Sequence, residues 1–146
     1  MKEFLKELFE YNYQTNRELC ERFKSYNYQL DTELCRLANH ILNAQQVWIS
    51  RINQIKSQVK PWDEFPIESF SQRNENLNIE VKKMLENRDA EEVIVYQNFA
   101  GDRFEKKLLD ILMHLINHST YHRGQIAMLM RKAGMEPISS DYIHFK

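Results

Sequence analysis

The chain has 146 residues, of which 42% are hydrophobic and 28% are charged, and its formal net charge at pH 7 is −1. This length fits one domain, residues 1–146, with enough apolar side chains for a core. The balanced charge gives no electrostatic reason to expect a nucleic acid or an anionic membrane as a partner, and no apolar run is long enough to cross a bilayer.

The N-terminal segment and the two cysteines indicate a cytoplasmic protein. Residues 1–16 contain five charged side chains and lack the apolar stretch of a secretory signal. Cys20 and Cys35 lie too far apart for a CxxC redox motif, so we interpret them as reduced thiols in the core.

The first half of the chain predicts two long helices. Residues 2–26 have apolar side chains at steps of three and four, but Asn12, Thr15 and Asn16 interrupt that stripe. Residues 31–58 continue the pattern as far as Ile55, with Asp31 or Thr32 as the cap. Two prolines follow and mark a loop.

The second half predicts two more helices with an excursion between them. Residues 69–88 form a polar, weakly patterned helix, and residues 107–132 form a helix that stops at Gly134. Between them, residues 92–98 and 103–107 flank Gly101 and favour a small β-hairpin, with an irregular loop as the alternative. We therefore expect an all-α fold, a four-helix bundle with a possible hairpin before its last helix.

Three of the five histidines recur at every fourth position of the last helix. Side chains four residues apart are neighbours on a helix, so two imidazoles at this spacing can share one metal ion. His118 and His122 fall within the apolar stripe, whereas His114 falls on its polar flank. We therefore predict His118 and His122 as metal ligands and place His114 beside the site or at the surface.

His40 is the candidate for the third ligand. It lies on the apolar stripe of the second helix, ten residues after the preceding turn, and His122 lies ten residues before the end of the last helix. At about 1.5 Å of rise per residue, the three histidines share one level if the two helices are antiparallel. The polar residues of the first helix fall at the same level.

Absent motifs and the three-imidazole donor set limit the kinds of metal site that the chain can form. The chain has neither Glu-x-x-His nor HExxH, which excludes the di-iron bundle pattern and the zincin pattern. Three imidazoles suit Zn, Ni, Cu or Fe, and three protein ligands leave a position open for water or substrate. Gly124 inside a helix suggests a close helix contact, and Arg123 is expected either to pair with a carboxylate or to lie solvated at the surface.

The stretch from His114 to Ile126, HLINHSTYHRGQI, closely resembles the last-helix signature of the DinB family. Tyr11-Asn12 with Asn16-Arg17 resembles the family's first helix, and Asn39 to Leu42 with Trp48 and Arg51-Ile52 resembles its second; Gly101 fits its turn. The resemblance implies a four-helix bundle, often a homodimer, with ligands at His40, His118 and His122. Relatives of this fold include thiol-dependent S-transferases and a thiol-dependent isomerase.

The favoured function is a metal-dependent enzyme, a thiol-dependent S-transferase or a hydrolase, acting on a small molecule. Its cofactor would be a divalent ion, Zn or Ni, with a low-molecular-weight thiol as cosubstrate. No general base is identifiable. Asn12, Asn16, Tyr121 and Trp48 are candidates to line the pocket, with core or interface packing as the alternative for the two aromatic residues. The alternatives are a non-catalytic metal- or small-molecule-binding protein of a stress response and a structural bundle with packed histidines.

Overall fold

A computed structural model describes all 146 residues, and the chain is mostly helical. In chain order its elements are α1 (Lys2–Ser25), α2 (Thr32–Ile52), α3 (Phe70–Asn87), β1 (Val93–Gln97), β2 (Arg103–Lys107), α4 (Leu108–Lys132) and α5 (Tyr142–Phe145). A single 3-10 turn, Ile67–Ser69, leads into α3. The four long helices confirm the four that the apolar spacing predicted, whereas the short α5 was not predicted.

The long helices pack around a shared apolar core. Helices α1 and α2 each lie against both α3 and α4. Phe23 of α1 and Phe70 of α3 are completely buried there and meet edge to face, with ring centroids 5.8 Å apart. This arrangement brings α2 and α4, the helices that carry the histidines, into direct contact. No helix combines the length and the hydropathy that a membrane crossing requires.

Helix α2 begins where the sequence predicted but ends earlier. The Asp31 carboxylate accepts a hydrogen bond from the backbone N–H of Glu33, which satisfies a free donor of the first turn. At the other end, Gln54 adopts a left-handed φ of 57°. Its side-chain amide donates to the backbone oxygens of Arg51 and Val95, which stabilises the end of the helix. The prediction that the helix continued to position 58 was therefore wrong.

The predicted β-hairpin is confirmed. Strands β1 and β2 pair antiparallel, with Val93 opposite Lys107 and Gln97 opposite Arg103. Gly101 lies in the connecting turn with φ 89°, a conformation that favours glycine. The hairpin packs against α2 through β1.

Gly124 does not mark a close helix contact. A methyl group built at its Cα would have no neighbouring atom within 4 Å, and the residue is exposed. The expectation drawn from its helix-breaking tendency was wrong, since open space surrounds it.

Candidate metal centre

Three histidines from two helices converge at one level of the core. His40 comes from α2, and His118 and His122 come from successive turns of α4. Their ring centroids lie 4.5–4.8 Å apart in all three pairs. One nitrogen of each ring lies within 4.8 Å of the other two. The structure thus brings together the set that the helical spacing selected.

Hydrogen bonds on the outer nitrogens hold two of these rings in a defined orientation. Nδ1 of His40 lies 2.8 Å from the backbone oxygen of Pro61. Nδ1 of His122 lies 2.6 Å from Oε1 of Gln125, one turn further along α4. Because both oxygens only accept hydrogen bonds, each Nδ1 must carry the proton, and each Nε2 keeps its lone pair. This is the tautomer that a metal-binding histidine needs.

The third ring lies directly against the first. Nε2 of His118 is 3.0 Å from Nε2 of His40, a distance at which two lone pairs repel unless a proton or a cation lies between them. Nδ1 of His118 is buried and has no hydrogen-bond partner. One ring nitrogen of the histidine cluster is therefore left without a hydrogen-bond partner within the protein.

Burial keeps His118 and His40 uncharged at neutral pH. It lowers the pKa of His118 to about 3, with a further contribution from the neighbouring His122, His40 and His114. Burial also lowers the pKa of His40, and the hydrogen bond to Pro61 offsets part of that effect. Neutral imidazole is the form that coordinates metals, so protons compete weakly for these lone pairs near pH 7.

The donor set fits a divalent transition-metal ion. With Zn–N bonds of about 2.0–2.1 Å, two nitrogens of a tetrahedral site lie about 3.3 Å apart. The His40–His118 separation of 3.0 Å is close to this value, whereas the widest pair, within 4.8 Å, is more open. Three imidazoles with no carboxylate among them suit Zn, Ni, Cu or Fe. His40, His118 and His122 are therefore the residues that would hold the ion.

Known proteins resemble this chain along nearly its whole length. The model of the DinB family matches residues 1–146, the whole chain. The chain belongs to the DinB family. It is also similar to Protein DinB of Bacillus subtilis (strain 168), with 25% identity over an alignment of 162 positions that spans 97% of this chain and 93% of the relative.

In this DinB-family chain, a loop residue that the sequence did not single out covers the histidine cluster. Trp62 stacks flat on His40, with centroids 3.6 Å apart and planes 5° apart. The Arg36 guanidinium lies on Trp62, 4.3 Å from its ring centroid. Pro61, the neighbour of Trp62, supplies the carbonyl that orients His40. The loop was predicted only as a connection, because no local pattern shows which helix face a loop will cover.

Two polar residues of α1 accept hydrogen bonds from a buried arginine of α4. Arg123 is only 2% exposed, and its Nη1 donates to Oδ1 of Asn12 at 2.7 Å and to Oδ1 of Asn16 at 3.0 Å. Its Nε has no partner, and no carboxylate pairs with it. Both expected environments for Arg123, a carboxylate partner and a solvated surface, were therefore wrong. Arg123 lies four residues after Ser119 and three before Ile126, both of which are buried. This helical spacing could have predicted that Arg123 faces the core.

The remaining predicted residues flank the cluster at different depths. Tyr121 is 65% exposed, and its ring meets the His122 ring edge to face at 5.1 Å. His114 is exposed on the flank, as predicted, with its centroid 5.7 Å from that of His118. Trp48 is half-buried and lies 5.5 Å from the His114 ring.

The largest concave surface of this family member lies elsewhere. A groove of about 780 Å³ runs between the end of α2, the loop that follows it and the β-hairpin, and none of the three clustered histidines lines it. The histidine cluster and the groove are nevertheless joined by one loop, since Lys60 lines the groove and its neighbour Pro61 contacts His40.

Proposed function

We propose that this protein is a metal-dependent enzyme acting on a small molecule, a thiol-dependent S-transferase or a hydrolase, with His40, His118 and His122 holding one Zn or Ni ion. One observation carries the proposal. Two of the three imidazoles have Nδ1 hydrogen-bonded to a fixed acceptor and so keep an Nε2 lone pair, and one nitrogen of each ring lies within 4.8 Å of the other two. The thiol as cosubstrate rests on the family resemblance alone.

The three-histidine donor set suits catalysis more than a structural role. Structural zinc sites usually have four protein ligands, whereas catalytic sites have three and keep a position for water or substrate. A bound divalent ion would lower the pKa of a water or thiol at that position and so supply a nucleophile at neutral pH. The chain's own residues hold the imidazoles in place through Pro61 and Gln125, and Trp62 shields His40 from water.

A non-catalytic metal- or small-molecule-binding protein is the second candidate. The largest groove does not include the histidines, and no carboxylate is placed among them to act as a general base. These two observations favour binding over turnover. A cytoplasmic role in a stress response would then depend on occupancy of the centre alone.

Metal-loaded and metal-stripped protein should be compared in two assays. One follows glutathione with a chromogenic aryl halide, and the other follows hydrolysis of a chromogenic ester. Turnover above a control of metal and thiol alone, abolished by stripping and by His118→Ala but kept by His144→Ala, supports the enzyme. Stoichiometric metal with no turnover in either assay contradicts it and leaves the binding protein.

We further propose that the four long helices form one four-helix bundle domain and that two copies associate as a homodimer. The dimer rests on the family resemblance. Light scattering coupled to gel filtration measures it directly: a mass of twice 17.7 kDa supports the dimer, and a mass of one chain contradicts it.

A further inference from the structure

The groove beside the β-hairpin contains an arginine with no partner. Arg51 lines this groove from the last turn of α2. Its side chain takes part in none of the hydrogen bonds or ion pairs of the protein; burial lowers its pKa, the nearby Tyr96 phenol offsets part of that effect, and no carboxylate contributes. The only buried side-chain atoms without a partner belong to His118 and Arg123, so the N–H donors of Arg51 are open to solvent.

Three aromatic rings surround this guanidinium and hold it in place. Its Cζ lies 4.6 Å from the ring centroid of Trp48, 5.3 Å from that of Tyr96 and 5.4 Å from that of Phe99. Rings that contact the flat guanidinium leave its in-plane N–H donors free. Trp48 and Tyr96 also meet edge to face at 4.9 Å, which fixes the cage itself. The hydrogen-bonding edge of Arg51 is therefore positioned in advance and unused.

The charge of the groove adds to that of Arg51. Lys56, Lys60 and Arg103 also line it, and Asp63 is its single acidic residue. The Asp63 carboxylate already accepts the backbone N–H of Lys60 at 2.8 Å. Of the basic residues only Arg103 has a carboxylate partner, Glu105 at 2.6 Å. A chain of net charge −1 thus collects unpaired positive charge in its largest concavity.

We propose that this groove binds an organic anion, a small molecule whose carboxylate or phosphate pairs with the free edge of Arg51 and whose apolar body lies along the exposed ring of Phe99. The planar fork of arginine matches both anions with two parallel hydrogen bonds. The volume of about 780 Å³ lies in the range of small-molecule sites. Phe99 is 62% exposed and offers an uncovered apolar wall. The proposal does not depend on the metal or on catalysis.

The reporter for binding is Trp48, because it touches Arg51 directly. Trp62→Phe leaves Trp48 as the sole tryptophan. Benzoate and phenyl phosphate are the two anionic probes, and benzyl alcohol is the neutral control. Saturable quenching of Trp48 fluorescence by an anion, absent with the alcohol, supports anion binding in the groove. The anion that binds more tightly identifies the preferred head group, carboxylate or phosphate.

Calorimetry on the wild-type background identifies the residue without relying on Trp48. Arg51→Gln should weaken binding of the anion at least tenfold, and Arg51→Lys should weaken it less. Arg17→Gln is the matched control, since Arg17 lies over the ring of Tyr13 on a distant face of α1 and should leave affinity unchanged. Metal content should be unchanged in all three, so failure of this proposal is distinct from failure of the metal centre. Absence of saturable binding to the wild type, or equal binding to Arg51→Gln, overturns the proposal.

Discussion

The Nε2 atoms of His40 and His118 lie 3.0 Å apart, although 78 positions of sequence separate the two residues. Nδ1 of His40 must donate to the Pro61 oxygen, so its Nε2 has a lone pair facing the His118 ring. In the metal-free protein only a proton on Nε2 of His118 removes the repulsion, and this leaves Nδ1 of His118 a buried acceptor without a partner. A cation held by the two Nε2 lone pairs would replace that proton and remove the repulsion, so the close approach of these two atoms favours a metal.

Removing the hydrogen bond that orients His122 should weaken metal binding without abolishing it. Gln125→Leu deletes the acceptor 2.6 Å from Nδ1 of His122, so the ring loses its fixed tautomer and orientation. Loss of such an outer contact typically costs about 10–100-fold in affinity. Competition with a chromophoric zinc chelator measures the change. Gln72→Leu, on the exposed face of α3, is the control and should bind as the wild type does; equal affinity in Gln125→Leu would show that this contact does not support the centre.

Arg123 should contribute strongly to stability. Arg123→Met removes the donor to Asn12 and Asn16 and leaves two amide oxygens buried without it. The expected loss is about 2–4 kcal/mol in the free energy of unfolding, measured by urea denaturation. Arg131→Met, near the exposed end of the same helix, should change it by less than about 0.5 kcal/mol. Similar values for the two variants would contradict the role of Arg123 in the core.

Gly124→Ala should stabilise the protein. Gly124 is helical and exposed, and a Cβ there meets no atom within 4 Å, so alanine gains helix propensity at no steric cost. The gain is about 1 kcal/mol or less. Gly134→Ala should have the opposite effect and destabilise the protein. Gly134 has a φ of 73°, a conformation that is strained for any residue with a Cβ. A lower melting temperature for Gly124→Ala would mean that something outside the chain occupies this space.

Acid should destabilise the metal-free protein before any carboxylate titrates. The pKa of His118 falls from its ordinary value near 6.5 to about 3 in the folded state, and that of His40 is also lowered. Below pH 6.5, His118 and His40 therefore bind protons in the unfolded chain while they remain neutral in the folded chain. Stability is complete above that pH and is lost as the pH falls towards 3.

Urea denaturation at about pH 6.5 and pH 5 tests this linkage. Because His118 is only partly buried, the expected loss is about 1 kcal/mol over this interval. His118→Asn should make the pH dependence shallower. A wild type and a variant with the same pH dependence would show that His118 is not the responsible group.

The sequence predicts those features that depend on spacing along one element. The turns of α4 place His118 and His122 on its buried face, and equal distances from the helix ends place His40 level with them. The role of Trp62 and the cage around Arg51 were not predictable, because each depends on how a loop or a hairpin folds back onto α2. The early end of α2 likewise depends on a contact from Gln54 to β1. Such contacts join residues far apart in sequence, and no local pattern encodes them.

Metal content by mass spectrometry of the untagged protein tests the central claim most directly. Wild type, His118→Ala and His144→Ala should be purified in parallel and offered Zn or Ni at neutral pH; His144 is an exposed histidine of α5. The three-histidine centre predicts about one metal ion per chain in the wild type and in His144→Ala, and none in His118→Ala. No bound metal in the wild type after reloading, or equal metal in all three proteins, would contradict the centre.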